Sequence, residues 1–80
     1  MTPAIALLLI LRTASTLGMP VARLVTELRF AAHDMSAPEV EAELRKLADV
    51  RQVIRYAAGA AGTRWRITGE GNAHLTEGGL

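Results

Sequence analysis

The chain has no cysteine, which excludes a disulfide framework, a thiolate zinc site and thiol chemistry, and makes a reducing cytoplasm the fitting compartment. Aromatic residues are scarce as well. Phe30, Tyr56 and Trp65 are the whole set, so a core has to be built from Leu, Val, Ile and Ala. Proline occurs only at positions 3, 20 and 38, and Lys46 is the one lysine beside eight arginines. A long apolar run is missing too. The stretch Ala4 to Leu11 falls well short of the roughly 20 residues a spanning helix needs, and Arg12, Thr13, Ser15 and Thr16 close it. No positive charge precedes it as an export signal requires, so neither a membrane span nor a leader is expected.

What is present fits one small domain of 80 residues. A chain this short buries only about 60% of its unfolded surface, which makes self-association a natural supplement to a thin core. Pro3 suits a first helical turn and no glycine follows until Gly18, so a first helix is expected over about residues 3–16. Its apolar residues run all round the cylinder. Ile5, Leu8 and Leu9 can face a core, whereas Leu7, Ile10 and Leu11 cannot all join them and are expected to form a homodimer contact.

Pro20 opens a second helix, about residues 20–30, with Val21, Leu24, Val25 and Leu28 at helical spacing. Residues 31–35 form the turn. Ser36 and Glu39 then have the spacing of a capping box, with Pro38 in the first turn, and a third helix is expected over about 36–49. Val40, Leu44 and Leu47 make its buried stripe, while Pro38, Ala42, Arg45, Lys46 and Asp49 face outward. The period then changes from helical to extended. Strands over about 52–58 and 63–68 flank the turn from Gly59 to Gly62, with Trp65 and Ile67 on one side and Arg64 and Arg66 on the other. Beyond Gly69 the tail is glycine-rich; Ala73 to Leu75 can add one helical turn, and Gly78 to Leu80 are expected to fray.

Helix, helix, helix, strand, turn, strand in this span resembles the winged helix-turn-helix superfamily. The closing segment, Arg64-Trp65-Arg66-Ile67-Thr68-Gly69-Glu70-Gly71-Asn72-Ala73-His74-Leu75, resembles the last wing strand of bacterial PadR-type and MarR-type regulators. The pattern there is an apolar residue, Thr, two residues, Gly, three residues, Leu, and Ile67, Thr68, Gly71 and Leu75 match it. Leu44 and Leu47 match the paired leucines that close the recognition helix. Where the family places a glycine three or four residues after the second leucine, this chain has none and reads Ala48-Asp49-Val50-Arg51-Gln52. The resemblance implies an α+β fold, a three-helix bundle with a C-terminal two-stranded wing, and a DNA-binding transcription regulator.

Charge distribution says more than the net charge of +1. Residues 50 to 69 contain Arg51, Arg55, Arg64 and Arg66 and no acid, so the hairpin is the basic element. Clustered arginines suit phosphate, since each neutralised phosphate releases counterions and the guanidinium fork fits its oxygens. On a solvated hairpin the same charges would serve solubility and blunt the sheet edge. The third helix carries Glu39, Glu41, Glu43 and Asp49 against Arg45 and Lys46, an unfavourable balance for a groove reader. The candidate contacts to double-stranded DNA are therefore Ala42, Arg45, Lys46, Arg51, Arg55, Arg64 and Arg66. An acidic third helix and an apolar first helix also suit a protein-docking module. His33 and His74 have no partner at metal-ligand spacing, and no nucleophile set or phosphate-cradling glycine loop is present, so neither an enzyme nor a cofactor or metal site is expected.

Overall fold

A helix that is apolar on every side needs neighbours on every side, and α1 (Pro3–Thr13) has them. The computed structural model describes all 80 residues and packs α1 against α2 (Val21–Phe30), α3 (Ala37–Asp49), the strand β2 (Thr63–Ile67) and a fourth helix, α4 (Gly69–Glu77). β2 pairs antiparallel with β1 (Val53–Ala57), Val53 opposite Ile67 and Ala57 opposite Thr63. The molecule is thus an α+β fold of four helices and a hairpin. No helix is long and apolar enough to cross a membrane.

The fourth helix corrects two expectations. The tail holds more than one turn at Ala73–Leu75, being helical over Gly69–Glu77, and beyond it the Leu80 amide donates to the Leu75 carbonyl at 2.9 Å while Arg12 donates to the Leu80 carbonyl at 3.1 Å. Leu7 and Leu11 are not free for a dimer contact, because both are fully buried within the chain, and Ile10 is half-buried against the same core. The core into which they fit includes Leu8, Leu24, Leu28, Leu44 and Leu75. Thr68 starts α4 by accepting from the Gly71 amide at 3.1 Å while donating to the Arg51 carbonyl at 2.6 Å, which ties this helix to the end of α3. Gly71 is required there, since a Cβ would lie 2.3 Å from the Gln52 carbonyl oxygen.

Helix α1 stops at Thr13, short of the expected residue 16, and Ser15–Leu17 form a separate 3₁₀ turn. Gly18 follows with φ +65, and a Cβ there would sit 2.1 Å from the Trp65 carbonyl oxygen. That close approach lets Met19 pair with Trp65 as an isolated bridge. At the other end of the bundle the capping box forms as expected: Ser36 Oγ accepts from the Glu39 amide at 3.3 Å, and Glu39 accepts from the Ser36 amide at 3.0 Å. Helix α3 closes with the Gln52 amide on Leu47 and the Arg51 amide on Ala48, the paired bonds of a Schellman motif. The left-handed residue in that motif is Arg51, φ +62, four positions after Leu47. The chain thus turns out of α3 without a glycine, an arginine adopting the left-handed conformation.

If α4 is part of the cooperative core, Leu75→Ala lowers stability by about 2–5 kcal/mol, the range for emptying a fully buried leucine site. Urea denaturation measures this, and a loss within error of zero would show that α4 docks loosely.

Candidate nucleic-acid interface

The register of the hairpin decides where its arginines point. Cross-strand partners share a face, and Arg55 lies opposite Trp65, so Arg55 is on the side that packs toward the helices. Tyr56 lies opposite Arg64 and Ile54 opposite Arg66, which puts those four on the outer side. The four hairpin arginines therefore do not form one patch.

Arg55 shares a groove with Arg45 of α3. Together with Val21, Glu41, Thr63 and Trp65 they line a groove of about 270 Å³ between the third helix and the inner face of the hairpin. Both arginines are exposed, and Arg55 makes no ion pair within the chain. Arg45 is held only at 3.9 Å from Glu41, and Lys46 at 3.5 Å from Glu43. Such exposed pairs contribute well under about 1 kcal/mol and give way readily to a phosphate. Ala42 and Lys46 are exposed on α3 but line none of the grooves around Arg45.

Arg64 is otherwise engaged. Its Nε donates to the Leu17 carbonyl at 3.0 Å and its Nη2 to the Gly18 carbonyl at 3.1 Å, while the Tyr56 hydroxyl also donates to Leu17. Arg66 places its guanidinium 5.3 Å from the centre of the Tyr56 ring, a cation–π arrangement. Arg51 lies elsewhere again, in a groove at the base of the hairpin beside Thr68 and Glu70. No three His, Cys, Asp or Glu side chains come close enough together to hold a metal ion. The four-residue spacing of Glu41 and Arg45 in the sequence marks that pair, whereas Val21 and Thr63 are neighbours of Arg45 and Arg55 that the sequence did not reveal. Counting the strand register back from Trp65 is the signal that locates Arg55, whereas α2 and α3 approach only through tertiary packing.

The chain matches no model of a known protein family, no curated protein and no solved structure.

Placement of α3 depends in part on its cap. Hydrogen bonds from the Ser36 backbone and then its side chain hold the Glu39 carboxyl below the ordinary carboxylate range. A depressed folded-state pKa contributes stability above the ordinary value, and that stability is lost as pH falls through the folded value. Glu39→Gln keeps the capping geometry but not the charge. The wild type should therefore melt above this variant at neutral pH, and the gap should close on acidification through and below the ordinary carboxylate range in calorimetric scans.

Proposed function

We propose that this chain is a winged helix module that binds double-stranded DNA, acting in the cytoplasm as a small transcription regulator. The observation that carries the reading is the groove that Arg45 of α3 and Arg55 of β1 line together, both exposed. In helix-turn-helix domains the second helix of the motif enters the major groove while flanking elements hold the backbone. Here α3 is that helix, with Ala42, Arg45 and Lys46 on its exposed side, and Arg55 reaches the adjoining phosphates from the hairpin. Arg64 supports the hairpin from behind. Arg66 and Arg51 lie outside the groove and add only long-range attraction.

The acids of α3 bear on this reading. Glu39 is committed to the cap, and Glu43 to Lys46. Glu41 lines this groove and Asp49 lines the adjoining one that Arg45 and Arg55 share, so each opposes phosphate beside Arg45. A protein-docking role is the other reading, and the presence of Glu41 in the groove is what favours it.

Titration of mixed-sequence duplex DNA across several salt concentrations separates the two. Binding should weaken steeply with salt, and Arg45→Ala and Arg55→Ala should each reduce the log–log slope by about 1. Arg64→Ala should lower the melting temperature while leaving that slope unchanged, and Glu41→Gln should tighten binding. Undetectable binding at low salt, or a slope that neither Arg45→Ala nor Arg55→Ala alters, would overturn the DNA reading in favour of protein docking.

A further inference from the structure

We propose that a second copy of this chain docks on the groove at the base of the hairpin, with Arg51 of each copy against the partner's Glu70 about a two-fold axis. This groove, about 520 Å³, lies between the end of α3, the start of β1 and the start of α4, and its floor is Ala48, Val53 and Ile54. Of these, Ile54 stands open to solvent, 44% exposed. Arg51 and Glu70 line the same groove, and neither makes an ion pair within its own chain.

The charges identify the occupant. A nucleic acid would meet Glu70 and an apolar floor, and a partner charged with one sign would leave either Arg51 or Glu70 unmatched. A surface with an apolar centre and one unpaired charge of each sign is its own complement under a two-fold rotation, which is the geometry of an isologous dimer. Arg51 occupies the left-handed site that closes α3, φ +62, as Ala32 does at the end of α2. Hydrogen bonds from Thr68 Oγ1 to the Arg51 carbonyl and from the Thr68 amide to the Gln52 carbonyl hold the segment rigid, so little ordering is required on docking.

Sedimentation equilibrium up to several hundred micromolar tests the pairing without DNA. The wild type should dimerise, and Arg51→Glu and Glu70→Arg should each raise the dissociation constant by about tenfold or more. An equimolar mixture of those two variants should associate again, because one chain then presents two acids and the other two bases; the chain carrying both substitutions should also recover its homodimer. Arg51→Gly, which suits the left-handed site, should keep the helical circular dichroism and still weaken association. A wild type that stays monomeric throughout the range, single variants of unchanged mass, or a mixture that fails to associate would each overturn the proposal.

Discussion

The hairpin is held to the helices by a seam at Leu17–Met19, and the geometry of that seam decides which arginines remain free. A two-stranded hairpin on its own is marginal in water. Here the Met19 amide donates to the Trp65 carbonyl and the Trp65 amide to the Met19 carbonyl, each at 2.8 Å. Gly18 makes this approach possible, and Arg64 with Tyr56 satisfies the carbonyls of Leu17 and Gly18. With Trp65 turned inward and 5% exposed, strand alternation sends Arg64 and Arg66 outward. Register then brings Arg55, directly opposite Trp65, to the side of α3. One buried tryptophan thus sets the position of a cation two strands' width from the seam.

Signals that were local in the sequence were legible. Ser36 and Glu39 announce α3 because capping is settled within four residues, and the glycines at 59 and 62 announce the turn because they supply the positive φ it needs. Helix α4 was legible only as a single turn at Ala73–Leu75. Gly69 and Gly71 lower the helix propensity of its first turn, and it forms because Thr68 caps it and Leu75 enters the core. The ends of α2 and α3, at Phe30 and Asp49, were legible, but the way the chain leaves them was not. Ala32 and Arg51 take the left-handed conformation at φ +66 and +62, which side-chain identity does not signal. Without α4, the apolar surface of α1 looked unpartnered, and Leu7 and Leu11 were misread as an external contact.

The candidate site was legible in composition but not in geometry. An acid-free run of arginines marks the hairpin, yet a count of charges cannot show that Arg64 is occupied with backbone carbonyls. Nor can it show that Arg51 lies at the base of the hairpin while Arg55 faces α3. Those assignments depend on strand register and on the seam, which are properties of contacts between residues 17–19 and 64–65 across a wide sequence separation.

Two unpaired cations, Arg55 and Arg51, belong to different grooves, and Ala48 lies between them: it lines the Arg51 groove and also a groove shared by Arg45 and Arg55. Ala48 is half-buried where it lines both, so the last turn of α3 contributes at once to the groove of Arg51 and to that of Arg45 and Arg55. The physical reason is helical spacing: Arg45, Ala48 and Asp49 lie three and four residues apart and share the face that meets the hairpin.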